Sequence, residues 1–208
     1  MILKVISTNV GTYTDDTQMS IALAETMLLR YSVESIQPVD FANTFLRVFR
    51  DDPRDGYARG FQKLLNTFKG DGRDLINTIE KHGKSARNGA AMRTVVLGYY
   101  KALWNVCTSA QSHGSVTHDK QGQYAATMIA HLSHLLRHNS RQRSLELMYN
   151  EYKCLHDLAV ELPKCPVDGI PTAVIAIKLF ERNNTLKDLI VDAINTKGDT
   201  DSVLAIAC

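Results

Sequence analysis

Apolar residues recur every three or four positions along most of the chain, which is the spacing of one face of an α-helix. In the first half, this pattern predicts helices over residues 17–31, 64–68 and 75–79, and one that Pro38 opens and Asp51-Asp52-Pro53 closes. The sequence Gly70-Asp71-Gly72 is interpreted as the end of the 64–68 helix. The strict alternation typical of a β-strand is almost absent.

The second half continues in the same way. Helices are predicted over residues 119–138, 140–162, 171–180, 185–195 and 202–208. Pro171 stands where the first turn of a helix tolerates proline, and Thr185 is a suitable N-cap residue. We therefore predict an all-α protein of about nine or ten helices, packed as a single bundle-like domain over residues 1–208.

Composition and charge exclude several classes of protein. The 208 residues carry 24 Lys and Arg against 22 Asp and Glu, a net charge of +2 that argues against a nucleic-acid partner or a polybasic membrane binder. The apolar runs are far shorter than the roughly 20 residues that span a bilayer. The four cysteines form no C-x-x-C pair, and the N-terminus is not a signal peptide. We expect a cytoplasmic protein with no membrane partner.

Two acidic stretches lie at opposite ends of the chain, each just before or at the start of a predicted helix. They are Thr14-Asp15-Asp16-Thr17 and Asp199-Thr200-Asp201-Ser202. Carboxylates and hydroxyls of this kind are ligands for Mg²⁺ or Mn²⁺. Asp, Ser and Thr are also ordinary helix caps, so spacing alone does not distinguish a metal site from two N-termini.

The order of five motifs resembles the ADP-ribosylglycohydrolase family, which includes the dinitrogenase-reductase-activating glycohydrolases. Thr14-Asp15-Asp16-Thr17-Gln18-Met19 resembles its first signature and Gly198-Asp199-Thr200-Asp201-Ser202 its last. The other three similar segments, in chain order, are Asp55-Gly56-Tyr57-Ala58-Arg59-Gly60-Phe61, Asn88-Gly89-Ala90-Ala91-Met92-Arg93 and Thr117-His118. The resemblance implies the family's multi-helix bundle.

The resemblance also implies roles for individual residues. Two divalent cations, Mg²⁺ or Mn²⁺, would be held by the two terminal signatures, through Thr14, Asp15, Asp16, Asp199, Asp201 and Ser202. ADP-ribose would be contacted by the central segments, through Ser85, Asn88, Gly89 and His118. The catalytic carboxylates would be Asp15, Asp16 and Asp199, and which of them takes a proton from water is left open.

Departures from the family pattern lie near the ends of the sequence. Family members carry a glutamate before the first signature, whereas none of the 13 residues before Thr14 is acidic. The sequence also stops within the helix that follows the last signature, so both ends are interpreted as shortened. A second copy of the chain could cover the apolar surface left by a missing helix, which would make the protein a homo-oligomer.

These observations support three hypotheses. The first is a metal-dependent hydrolase that removes ADP-ribose from a modified protein side chain, with arginine as the expected linkage. The second is a module that binds ADP-ribose without hydrolysing it, which the missing glutamate would favour. The third is a helical interaction protein whose acidic turns are only caps.

Overall fold

A computed structural model describes residues 13–29, 36–157, 167–196 and 198–208. These parts contain eleven α-helices and two short 3₁₀ turns, with no β-strand beyond two isolated bridges. The helices are α1 (Asp15–Leu29), α2 (Pro38–Asp51), α3 (Arg59–Thr67), α4 (Gly72–His82), α5 (Leu103–Thr117), α6 (Lys120–His138), α7 (Arg141–Glu151), α8 (Cys154–Asp157), α9 (Gly169–Arg182), α10 (Leu186–Thr196) and α11 (Thr200–Ala207). The all-α prediction is confirmed.

Most predicted helices lie within a few residues of their observed bounds, but one turn was misassigned. The segment Gly70-Asp71-Gly72 begins a helix instead of ending one. Asp71 is the N-cap of α4, and its carboxylate accepts hydrogen bonds from the backbone N–H groups of Arg73 and Asp74 at 2.9 and 3.0 Å. The preceding helix ends earlier, at Thr67. A Gly-Asp-Gly sequence satisfies the rules for a helix end and for a helix start equally well.

Periodicity missed α5 altogether. Its buried residues include Ser109, His113, Gly114 and Thr117, which are polar or small, so the inward face carries little hydrophobic signal. The opposite error occurs in the segment predicted as one helix over residues 140–162. The helix ends at Glu151, and Tyr152 adopts an extended conformation as its C-cap. Residues 158–162 lie outside the described part of the chain.

Two hydrophobic clusters form the interior. One is built mainly from α1, α2, α4 and α5, and includes Phe41 and Phe45. The other is built mainly from α6, α7, α9 and α11, and includes Met128 and Ile177. Helix α6 packs against α5 on one side and α9 on the other, so it joins the two clusters. Within the described residues, no helix is both long and apolar enough to cross a membrane.

The first and last helices meet although they are far apart in sequence. Helix α1 belongs to one cluster and α11 to the other, and residues of the two helices are in contact. Their N-termini carry the two acidic signatures. The fold therefore brings the two acidic signatures to one place.

Candidate active site

The first acidic signature forms the start of α1. Asp15 and Asp16 occupy its first turn, where the helix dipole favours negative charge. Asp16 is only 6% exposed. Its Oδ1 lies 3.5 Å from the Oγ of Ser202, which can donate a hydrogen bond to it across 186 positions of sequence. This contact joins the two terminal signatures directly.

The second acidic signature caps α11. Asp199 is the N-cap residue and Asp201 lies in the first turn. The side-chain amide of Asn88 donates a hydrogen bond to Asp199 Oδ2 at 2.6 Å. The central segment is thereby attached to the same place, so three of the five motifs meet through their side chains.

Gly56 brings the backbone of a fourth motif against the first signature. Its φ is +121°, a conformation that residues with a side chain rarely adopt. A Cβ atom built at this position would lie 2.1 Å from Asp15 Oδ1. Only glycine therefore allows the chain to pass this close to the Asp15 carboxylate.

The predicted ADP-ribose-contacting residues form one wall. Ser85 and His118 are paired in a parallel bridge, in which the Ser85 N–H donates to Thr117 O at 3.1 Å and the Asp119 N–H donates to Ser85 O at 3.0 Å. Asn88 is buried, and its backbone N–H donates to the Val167 carbonyl. A Cβ on Gly89 would lie 3.2 Å from His118 Nε2, so the glycine backbone packs directly on that imidazole.

These elements enclose a cleft of about 860 Å³. Four aspartates line one end of it, and apolar side chains line other parts of the wall. The aspartates are Asp15, Asp16, Asp199 and Asp201; the apolar residues include Tyr57, Phe61, Leu64, Ile79 and Val167. The volume is within the range of small-molecule and cofactor sites, about 300–1,000 Å³. One acidic end and a mixed apolar wall suit a ligand with both hydroxyl groups and an aromatic base.

Burial makes the ionisation of the carboxyl groups at the acidic end unfavourable. Desolvation, together with the charges of Asp15, Asp201 and Asp199, raises the pKa of Asp16 to about 8. The pKa values of Asp15 and Asp199 rise to about 6, again mainly through desolvation. Carboxyl groups with such raised pKa values are typical of functional sites.

We predict that the protein in chelator becomes less stable as the pH rises from about 7.5 to 8.5. Asp16 has a folded-state pKa near 8 against 3.8 in its ordinary state, so the unfolded chain has released this proton while the folded chain still holds it. Each pH unit in this window then favours unfolding by up to about 1.4 kcal/mol. Urea unfolding at several pH values measures the effect.

Two buried histidines change the stability in the opposite sense at lower pH. Burial lowers the pKa of His118 to about 3 and that of His113 well below its ordinary value. Because their unfolded-state pKa is near 6.5, both groups add stability as the pH rises through 6.5, and their contribution is nearly complete by about pH 7.5. A free energy of unfolding that stays constant from about pH 7.5 to 8.5 would contradict the buried, proton-binding Asp16.

The acidic end has the chemistry expected of a hard-cation site. Its oxygens come from carboxylates and from the Ser202 hydroxyl, the ligand types preferred by Mg²⁺ and Mn²⁺. Bound cations would also relieve the repulsion that raises the aspartate pKa values. In the described residues, however, no three acidic, histidine or cysteine side chains are already gathered into a metal-binding cluster. The donor types fit divalent cations, and the preformed geometry is not present.

Most of the residues predicted as site residues lie in this cleft. Asp15, Asp16, Ser85, Asn88, Gly89, His118, Asp199, Asp201 and Ser202 all line it. Thr14 is half-buried just before α1 and is not part of the lining, although its carbonyl accepts the Gln18 N–H at 3.1 Å. Met92 packs in a hydrophobic cluster and also lines the cleft. The roles of these residues stay predictions.

Sequence reasoning missed several residues of the cleft. Val167 carries no motif, and Tyr57 belonged to a segment to which no role had been given. For Arg93 the sequence alone leaves two roles open, a phosphate ligand or the partner of a carboxylate. Within the described residues it forms no ion pair; its guanidinium is buried and donates hydrogen bonds to Thr117 and His113. Only contacts between distant helices identify it, so no local pattern could have done so.

Comparisons with known proteins identify relatives of this chain. Human ADP-ribosylhydrolase ARH3 is 32% identical over 129 residues, and the mouse protein of the same name is 30% identical over 126 residues. Each alignment covers 58% of this chain, but only 34% of the human relative and 33% of the mouse relative. The chain thus matches about a third of the length of these curated relatives.

A solved structure supports the same relationship for the fold. A protein described as an ADP-ribosylglycohydrolase-related protein complex superposes with a TM-score of 0.68 at 25% identity, covering 95% of this chain and 69% of that one. The family model of ADP-ribosylglycohydrolases matches residues 2–208. This chain therefore belongs to the ADP-ribosylglycohydrolase family.

Proposed function

We propose that this protein is a hydrolase that releases ADP-ribose from a modified protein side chain, with ADP-ribosyl-arginine as the first substrate to test. The observation that carries the proposal is the meeting of both acidic signatures and the central segment over one cleft. Ser202 contacts Asp16, and Asn88 contacts Asp199. The family relationship supports hydrolysis of an ADP-ribosyl bond, and the named relatives are themselves ADP-ribosylhydrolases.

Divalent cations are proposed at the acidic end. Asp15, Asp16, Asp199 and Asp201 would hold them, together with the Ser202 hydroxyl and Thr14. The cations, when bound, would supply positive charge that holds the ribose hydroxyls and a water molecule. The family is generally dependent on divalent metals, which supports this assignment without deciding between Mg²⁺ and Mn²⁺.

The chain's own residues account for binding and for the proton transfer. Ser85, Gly89 and His118 lie on the wall where the ADP portion would bind, and the small residue at position 89 lets the backbone approach a phosphate closely. Cleavage at the ribose C1′ builds positive charge on the ring, which nearby carboxylates stabilise. One of Asp15, Asp16 and Asp199 would take the proton of the attacking water.

The first experiment measures free ADP-ribose released from an ADP-ribosyl-arginine peptide. The protein is incubated with Mn²⁺ or Mg²⁺, and a matched sample contains chelator. We expect metal-dependent release, because the carboxylates that would position the water repel one another without cations. A parallel assay with ADP-ribosyl-serine tests the linkage.

Calorimetry with ADP-ribose distinguishes the remaining hypotheses. Binding without release from any modified peptide would overturn the hydrolase and support the binding module. Neither binding nor release would support the helical interaction protein. The cytoplasmic location and a homo-oligomeric state stay predictions, to be tested by localisation and by light scattering.

A further inference from the structure

Arg93 is a buried cation beside the cleft. Its side chain is 2% exposed, and burial lowers the pKa of its guanidinium to about 10, which still leaves it charged at neutral pH. Among the described residues it makes no ion pair. Its contacts are a hydrogen bond to Thr117 Oγ1 at 2.8 Å, another to His113 Nδ1 at 3.3 Å and the ring of Phe45, whose centroid lies 4.7 Å away. A buried charge without a carboxylate is costly and calls for a specific role.

The hydrogen bonds determine where the protons lie. Arginine can only donate, so the Thr117 oxygen accepts from Arg93. The Thr117 hydroxyl is buried and lies 2.7 Å from His118 Nδ1, which is the one acceptor within reach among the described residues. It therefore donates to Nδ1, and the proton of the neutral imidazole is on Nε2. The opposite tautomer would leave the buried Thr117 O–H without an acceptor, which costs free energy.

His118 is also fixed in place by its surroundings. Its backbone N–H donates to the Gly114 carbonyl, and its own carbonyl accepts from Gln123 Nε2 at 2.9 Å. The ring packs closely on Gly122. A Cβ at this position would lie 2.7 Å from the Cβ of His118, so only glycine leaves room for the histidine. The ring nitrogen that remains, Nε2, lies beside Gly89 on the cleft wall. The orientation of the His118 ring and the ring nitrogen that carries its proton are thus both determined.

We propose that Arg93 is a positioning residue that acts through Thr117 to hold His118 as the neutral tautomer with its Nε2–H donor at the cleft wall. The donor would serve an oxygen acceptor of the ligand, and this last part depends on the proposed function. Arg93 does not touch the ligand in this proposal. Burial and the charge of Arg93 both keep the imidazole neutral, and the fixed donor of Arg93 decides which way the Thr117 hydroxyl points.

His113 supplies an internal control. Its Nδ1 accepts directly from Arg93 Nε, without Thr117 in between. Its ring is fully buried edge-on to Phe41, with a 5.9 Å separation of the ring centroids. The two histidines therefore both depend on Arg93, but only His118 depends on Thr117.

The test is ¹⁵N NMR of the histidine rings in the ligand-free protein, which distinguishes a protonated from an unprotonated ring nitrogen. In the wild type we expect the proton on Nε2 of both His113 and His118. Thr117→Val, which keeps the shape but removes the hydroxyl, should give His118 a mixture of tautomers and leave His113 unchanged. Thr117→Ser should restore the wild-type pattern, and Arg93→Met should alter both rings.

Calorimetry gives a second readout. Thr117→Val should weaken ADP-ribose binding about tenfold, the cost of one misdirected hydrogen bond, while Thr117→Ser binds as the wild type does. A wild-type His118 with its proton on Nδ1, or a Thr117→Val protein with an unchanged His118 tautomer, would overturn the proposal. If Arg93→Met does not fold, the two Thr117 variants decide. Absence of ADP-ribose binding in the wild type would refute the proposed function and leave the tautomer test valid.

Discussion

Replacing Asp16 with asparagine is expected to reduce ADP-ribose release by at least about 100-fold while making the protein in chelator more stable. Asparagine has the same shape and can still accept the Ser202 hydroxyl, but it carries no charge for a cation or for the developing positive charge on the ribose. Asp16 is nearly fully buried, and its surroundings penalise the ionised form. The substitution therefore removes a group whose burial costs folding free energy.

Stability and activity should thus change in opposite directions. A tenfold change in proton affinity corresponds to about 1.4 kcal/mol, so the gain for Asp16→Asn at pH 7 should raise the melting temperature by several degrees. Thermal unfolding in chelator and the ADP-ribose release assay measure the two effects. A variant with reduced stability would contradict the buried, repelled carboxyl, and a fully active one would contradict the role of Asp16.

Asp71→Asn is the matched control. Asp71 also lies at a helix N-terminus, as the N-cap of α4, but it is not part of the cleft lining. Asparagine caps a helix about as well as aspartate does. We expect this variant to keep both its melting temperature and its activity, which would separate the effect of the cleft from a general effect at helix N-termini.

Replacing Gly56 with alanine is expected to destabilise the protein and to disrupt the first signature. The added Cβ would lie 2.1 Å from Asp15 Oδ1 and 3.0 Å from Asp15 Cγ, so the carboxylate or the loop must move. The positive φ adds backbone strain of roughly 1–3 kcal/mol. Chemical unfolding should show a loss of this size, and ADP-ribose release should fall by at least about tenfold because a small displacement of a catalytic group is costly.

Gly60→Ala is the control for this variant. Gly60 lies in the first turn of α3, and a Cβ built there meets nothing within 4 Å. Alanine favours a helix over glycine by about 0.5–1 kcal/mol, so this variant should be as stable as the wild type or slightly more so. Equal activity of Gly56→Ala and the wild type would show that the position of Asp15 is not held by this loop.

The pattern of the sequence was sufficient where a helix buries a hydrophobic face. Helix α2, bounded by Pro38 and Asp51, has the predicted limits. Its buried residues Phe41, Phe45 and Val48 recur every three or four positions, which is the spacing of one helix face. Helix α5 was missed because the residues it buries include serine, histidine and threonine. Hydrophobic periodicity identifies a helix that buries apolar side chains. It does not identify a helix whose buried side chains are polar and are stabilised by hydrogen bonds.

The sequence by itself determined the helical class, the family resemblance and nine of the residues that line the cleft, because short motifs record which side chains are present and in what order. Only the tertiary structure decided that Asp16 and Ser202, 186 positions apart, touch each other. It also decided that Gly56 lies against Asp15 and that Arg93 binds Thr117. Such contacts depend on how elements that are far apart in the sequence pack against one another, and packing of this kind leaves no local signature in the chain.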